Sequence, residues 1–104
     1  MKLLLRAQNL TQPTVETIRE YSEKKFRKLV KYFSTQDAEP RFHVRVNYEP
    51  RKKEYIFKVI MNVNSQSYIV NLKVDDPRRG VVMIENALKN QLLKTKYKSW
   101  LNDH

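Results

Sequence analysis

Two short stretches of the sequence concentrate the side chains best suited to binding anions. Residues 24–31 hold five lysines and arginines in eight positions, and residues 94–98 hold three lysines around Tyr97. Lysine and arginine bind phosphate groups through charge-assisted hydrogen bonds, and a tyrosine among them can stack on a base. Such stretches are typical of nucleic-acid binding, although a solvated helix face has a similar composition.

Residues suited to catalysis or metal binding are few and scattered. The chain has no cysteine, and its two histidines, His43 and His104, are far apart, so no metal site is expected. Asp75 and Asp76 could act as paired carboxylates, and the capping of a helix explains them at least as well. The only glycine, Gly80, excludes a glycine-rich phosphate loop. We therefore predict a binding protein that is not an enzyme and uses no cofactor and no small-molecule substrate.

The charge of the chain points to a polyanionic partner. Among 104 residues, 21 are Lys or Arg and 11 are Asp or Glu, which gives a net charge of +10. Residues 1–50 and 51–104 share the basic side chains almost equally, so the charge decorates a folded body rather than a tail. With 40% apolar residues we expect one domain, 1–104, with an ordered core over about 2–98.

The sequence also predicts where the protein acts. Its longest apolar runs fall far short of the roughly 20 residues of a membrane span. The first six residues carry an apolar run of three, which is too short for a signal peptide. We expect a cytoplasmic protein, with nucleic acid and not a membrane as its partner, and a monomer when free.

Hydrophobic periodicity predicts six elements. Residues 2–8 are a predicted strand, and residues 14–33 have apolar side chains at helical spacing, with Thr11 or Thr14 as the N-cap. Three alternating runs, 42–48, 55–63 and 68–74, predict an antiparallel meander. A second helix is expected from Pro77 to about residue 98, with Gly80 allowing close approach to the sheet.

The order β-α-β-β-β-α predicts an α+β fold like that of double-stranded-RNA-binding domains. Each middle strand has one apolar face, so two helices should cover one face of a four-stranded sheet. The core stripe of the second helix comprises Val81, Ile84, Leu88, Leu92 and Thr95. The other face of the sheet, carrying Arg45, Lys58, Asn71 and Lys73, should contact water.

A helical wheel separates the charges of the first helix. One flank groups Tyr21, Lys25, Lys28 and Tyr32, and Lys24 and Lys31 continue it toward the outer face. The opposite side carries Glu16, Glu20 and Glu23. A solvated helix more often mixes the two signs in ion pairs, so this separation favours a polyanion-binding face.

The second helix also has two basic flanks. Lys94 and Lys98 share one of them, and Arg78, Lys89 and Lys96 share the other. If the helices lie side by side, one flank of each meets in a groove. Tyr21, Tyr32 and Tyr97 are then possible stacking residues, and the alternative for each is packing at the rim of the core.

The order and spacing of these segments resemble the short ribosome hibernation-promoting factors, also called ribosome-associated translation inhibitors. The resemblance covers nearly the whole chain and rests on residues 18–29, IREYSEKKFRKL, and residues 88–96, LKNQLLKTK, with a strand and a threonine before the first helix. The family usually enters its last helix through an acidic-Met-Tyr turn. Residues 75–80 read DDPRRG instead and bring two arginines.

The resemblance implies a specific partner. Members of the family bind the small ribosomal subunit in the channel that mRNA and the A- and P-site tRNAs occupy, inhibit translation and preserve idle ribosomes. Such a protein would hold rRNA phosphates by shape rather than by base sequence. The predicted rRNA-binding residues are Lys24, Lys25, Lys28, Lys31, Arg78, Arg79, Lys89, Lys94, Lys96 and Lys98.

Two other functions fit the same residues. One is a general double-stranded-RNA-binding module, although such modules use the start of a helix and Lys94, Lys96 and Lys98 lie near a helix end. The other is a protein-interaction module without RNA. It would use the apolar residues outside the core stripe of the second helix, which are Val82, Met83 and Leu93.

Overall fold

A computed structural model of the chain describes residues 1–32, 39–63 and 65–102, and for Lys31 and residues 95–102 it describes the backbone alone. The strands are β1 (Lys2–Gln8), β2 (Arg41–Glu49), β3 (Glu54–Val63) and β4 (Gln66–Val74), and the helices are α1 (Gln12–Arg27) and α2 (Pro77–Asn102). A 3₁₀ segment, Lys28–Tyr32, follows α1. The predicted element order is confirmed.

The four strands form one mixed sheet in the order β1-β2-β3-β4. β1 is parallel to β2, because α1 carries the chain back to the starting end, and the two hairpins make β2, β3 and β4 antiparallel. Both helices pack on one side of the sheet, where the apolar positions of the strands meet them. The predicted α+β fold is therefore confirmed.

The apolar sides of the strands and of the two helices pack together in one hydrophobic core. The inward positions of β2 and β3, including Phe42 and Phe57, are buried, as is the α2 stripe of Val81, Ile84, Leu88 and Leu92. The rings of Phe26 and Phe42 stack with centroids 5.1 Å apart and fix α1 against β2. The side chain of Thr95, the last predicted stripe position, is outside the described residues.

The limits of α1 differ from the prediction at both ends. The helix begins at Gln12, and Thr11 occupies the N-cap position without a side-chain cap hydrogen bond. Instead, the hydroxyls of Thr11 and Thr14 lie 2.9 Å apart. At the other end the chain tightens into the 3₁₀ segment rather than continuing to residue 33, because i→i+3 bonds satisfy the last helical carbonyls. Phe33 lies outside the described residues.

α2 begins as predicted. The carboxylate of Asp76 accepts a hydrogen bond from the backbone N–H of Arg78 at 3.0 Å, and the carbonyl of Asp76 accepts one from Gly80. A Cβ on Gly80 would lie 2.8 Å from Phe57 Cε2 and 2.8 Å from Val74 Cγ2, so the close approach is confirmed. The helix continues to Asn102, past the predicted end, since residues 99–102 contain no glycine or proline.

Candidate nucleic-acid interface

The helices lie side by side, and one contact fixes how α2 is turned. The Nζ atom of Lys89 lies 5.5 Å from the centroid of the Tyr32 ring, in the 3₁₀ segment. In a 3₁₀ helix residues three apart eclipse, so Tyr32 follows the buried Leu29 toward α2. The flank of α2 that carries Lys89 is therefore the one that faces α1.

α1 carries a tyrosine and a lysine on the flank that its helical wheel shares with Tyr32. The Nζ atom of Lys25 lies 5.3 Å from the centroid of the Tyr21 ring, and both side chains are half-buried. The groove between the helices, defined by Tyr21, Lys25, Tyr32 and Lys89, is called the interhelical groove below. The ammonium groups of Lys25 and Lys89 lie over aromatic rings. This contact holds each cation in place without neutralising its positive charge, as an ion pair would.

The two tyrosines are also part of the protein body. Tyr21 and Tyr32 pack against the hydrophobic core and are half-buried, as the rim-packing alternative requires. Their rings therefore have limited area free for a base, and their main role in the groove is to position Lys25 and Lys89. Lys24 and Lys28 are exposed beside them.

The other flank of α2 belongs to a different surface. The side-chain amide of Gln91 donates a 3.2 Å hydrogen bond to the carbonyl of Ile69 in β4. Lys94 is exposed and lies three residues further on, so it shares the β4 side of the helix with Gln91. Lys89 and Lys94 therefore do not line one groove, a choice that the sequence had left open.

The two arginines of the turn into α2 have different surroundings. Arg78 lines a shallow depression of about 310 Å³ with Thr14 and Thr17 of α1, at the end where both helices begin. Arg79 forms an ion pair with Asp75. Arg78 therefore extends the basic surface toward the helix starts, whereas the charge of Arg79 is partly neutralised within the protein.

An acidic residue in this region was not predicted. Glu85 precedes Lys89 by one helical turn on the α1-facing flank, and its Oε2 atom is buried without a hydrogen-bond partner among the described residues. The ammonium group of Lys89 lies over the Tyr32 ring and does not pair with Glu85. The four-residue spacing between Glu85 and Lys89 is the feature of the sequence that could have predicted an acidic residue here. Glu85 reduces the positive potential at the middle of the groove.

Several predicted site residues lie outside the described side chains. These are Lys31, Lys96, Lys98 and Tyr97, whose backbone alone is described. The apolar residues of the protein-interaction alternative are described: Met83 and Leu93 are exposed, and Val82 is half-buried. They lie away from the core stripe, as expected.

The described side chains are arranged for binding anions. Fixed ammonium groups at Lys25 and Lys89, with Lys24, Lys28 and Arg78 around them, can hold successive phosphates. Within the described ranges, no three His, Asp or Glu side chains gather as metal ligands. No described helix has an apolar stretch long enough to cross a membrane.

The solved structures that share this fold include the following two proteins. The N-terminal domain of Thermus thermophilus Protein Y has a TM-score of 0.72 at 20% sequence identity, over 91% of this chain and 99% of that one. A ribosomal subunit interface protein from Coxiella burnetii has a TM-score of 0.69 at 20% identity, over 93% of this chain and 99% of that one. The chain has the fold of these two proteins.

The match covers 91% of this chain, and the fold implied by the family resemblance is the fold observed. An identity of 20% establishes the fold alone. No protein-family model matches the sequence, and no curated protein matches it either.

Proposed function

We propose that the protein is a ribosome-binding factor of the hibernation-promoting type. It binds the small subunit in the mRNA and tRNA channel, at the A and P sites, and so inhibits translation and stabilises idle ribosomes. The observation that carries this proposal is the fold shared, over 93% of the chain, with a protein described as a ribosomal subunit interface protein. The sequence segments 18–29 and 88–96 support the same family independently.

The interhelical groove supplies the contact surface in this proposal. Phosphates of rRNA sit over Lys25 and Lys89, with the exposed side chains of Lys24 and Lys28 on adjacent phosphates. Contacts of this kind position a protein on folded RNA and carry no base sequence, so specificity comes from the shape of the channel. The mechanism is occupancy: the protein fills space that mRNA and tRNA need and performs no chemistry.

The acidic flank of α1 supports an oriented contact. Glu16, Glu20 and Glu23 lie on the side of the helix away from the groove, and among the described residues Arg19 partly neutralises only Glu16, at 2.5 Å. Phosphates are attracted to the groove side and repelled from the acidic side, so the charge pattern selects one orientation of the protein on RNA. α1 is therefore the element that sets the docking direction.

The direct test is co-sedimentation with purified small subunits over a salt series. The Lys25→Glu, Lys28→Glu double variant should stay folded, because Lys28 is exposed and Lys25 is half-buried at the rim. Its binding should fall at least about a hundredfold near 100 mM salt, and the log–log salt slope should shrink by about 2. The matched control is Arg51→Glu, Lys52→Glu in the exposed β2–β3 turn, which should bind as the unmodified protein does.

Several outcomes would contradict the proposal. Unchanged binding of the double variant would remove α1 from the interface. Equal affinity for naked RNA duplexes and for small subunits would favour the general double-stranded-RNA-binding module. Binding that does not depend on salt would point to the protein-interaction alternative. Channel occupancy is tested separately, since bound mRNA and initiator tRNA should compete with the protein.

A further inference from the structure

The face of the sheet opposite the helices is strongly basic. Strand alternation places every second residue on this open face, and the strand register places those residues in rows. Its basic side chains are Lys2, Arg6, Arg41, Arg45, Lys58 and Lys73, and its acidic ones are Glu49 and Glu54. The two acids are register partners at one end, so the rest of the face carries one sign.

Three of these cations form a row across three strands. Arg6 of β1 is the register partner of Arg45 in β2, and Arg45 is the partner of Lys58 in β3. All three are exposed, and none forms an ion pair with a described residue. Neighbouring strands are about 4.8 Å apart, so the backbone positions of the three residues lie within about 10 Å.

This row opposes folding. Like charges directly opposite each other on neighbouring strands repel, and each such pair lowers the stability of the sheet. The row contains two such pairs, with Arg45 in the middle of both. A bound anion would reduce the repulsion between these charges. Relief of the repulsion would therefore add to the affinity for a negatively charged ligand.

The shape of the face suits an extended ligand. Two adjoining hollows, of about 650 and 540 Å³, share Arg6, Arg45 and Lys58 on their walls, so the row lies where they meet. No Asp or Glu lines either hollow among the described residues. The charged residues on the walls are all basic, and a concave surface of this kind fits a convex polyanion better than it fits a flat membrane.

We infer that this open sheet face is a second RNA-binding surface, which holds the phosphate backbone of duplex RNA across Arg6, Arg45 and Lys58. The outward positions of the four strands hold no Phe, Tyr or Trp, so a stacking platform for single-stranded bases is absent from these described strands. The choice of RNA as the polyanion rests on the proposed function. The open face and the interhelical groove lie on opposite sides of the sheet, so the protein is held between two RNA segments.

Reversing the charge at Arg45 distinguishes an effect on RNA binding from an effect on folding, because the two should change in opposite directions. In Arg45→Glu the new carboxylate lies between Arg6 and Lys58 and replaces two repulsions with two attractions. We expect the melting temperature to rise by about 2–8 °C. Affinity for a short blunt RNA duplex should fall about tenfold at 100 mM salt, and the log–log salt slope should shrink by about 1–2.

The matched control is Arg51→Glu, which makes the same charge change at an exposed site in the β2–β3 turn, beyond the acidic end of the face. It should change duplex affinity less than about twofold, since its charge lies outside the row. Equal losses in Arg51→Glu and Arg45→Glu would overturn the inference, because net charge alone would explain them. Unchanged duplex binding by Arg45→Glu, or a loss confined to anionic lipid vesicles, would also overturn it.

The two proposals fail separately. If the unmodified protein does not sediment with small subunits while Arg45→Glu still loses duplex binding, the proposed function is wrong and the second RNA surface stands. If Lys25→Glu, Lys28→Glu abolishes subunit binding while Arg45→Glu leaves duplex binding intact, the second surface is wrong and the proposed function stands.

Discussion

Replacing Gly80 with alanine tests how closely α2 approaches the sheet. Alanine is the better helix former by about 1 kcal/mol, so helix propensity alone predicts a more stable protein. The structure predicts the opposite, because the added Cβ would lie 2.8 Å from both Phe57 Cε2 and Val74 Cγ2. Ordinary carbon contacts are about 3.5–4.0 Å, so two core groups must move together.

The magnitude follows from what surrounds the clash. Phe57 is fully buried and Val74 is 5% exposed, so neither side chain can swing into solvent. Overpacking a core costs about 1–3 kcal/mol, and two simultaneous clashes place Gly80→Ala in the upper part of that range. After the gain in helix propensity, the net loss should be about 1–2 kcal/mol in the free energy of unfolding, or about 5–15 °C in melting temperature.

The assay is urea and thermal unfolding followed by circular dichroism. The control is Asn86→Ala, an exposed position in the same helix, where stability should rise by a few tenths of a kcal/mol. In a Val74→Ala background, Gly80→Ala should cost at least about 0.5 kcal/mol less, since one clashing methyl is gone. A Gly80→Ala variant as stable as the unmodified protein would refute the reasoning.

Two further predictions concern single polar groups, and both are measured as urea unfolding free energies. The hydroxyl of Ser22 is buried without a hydrogen-bond partner among the described residues, so Ser22→Ala should stabilise the protein by about 1 kcal/mol. A lower free energy of unfolding in Ser22→Ala would mean that the hydroxyl has a hydrogen-bond partner. Asp76→Ala should cost about 1 kcal/mol, because the carboxylate caps α2. Thr11→Ala, at the uncapped start of α1, should change the free energy of unfolding by no more than a few tenths of a kcal/mol. Equal losses of stability in Asp76→Ala and Thr11→Ala would contradict the difference in capping.

The order of the elements was predictable because the chain has unusually regular periodicity. Three runs alternate every two residues and two segments have helical spacing, so local pattern and global fold agree. The limits of α1 were not predictable to the residue. The choice between a last α turn and a 3₁₀ segment depends on small differences in carbonyl hydrogen bonding that residue types do not encode.

The candidate site was predictable in part. A wheel of α1 grouped Tyr21 with Lys25 and Tyr32; Lys25 lies over the Tyr21 ring, whereas Tyr32 lies in the 3₁₀ segment and contacts Lys89 of α2. The wheel of α2 gave two equivalent basic flanks, and only the packing of Lys89 on Tyr32 distinguished them. Glu85 was not predicted, because its acidic side chain stands out only by its four-residue spacing from Lys89.

The net charge of +10, the single apolar face of each strand and the polarised first helix follow from residue type and period alone, without the tertiary structure. The four-residue turn at 50–53 fixes the pairing of Arg45 with Lys58, a register that the alternating runs alone leave open. Only the tertiary structure placed Arg6 beside Arg45, because the parallel pairing of β1 with β2 depends on how α1 packs across the sheet. A long-range pairing leaves no mark on local periodicity, so the basic row of the open face emerged from folding.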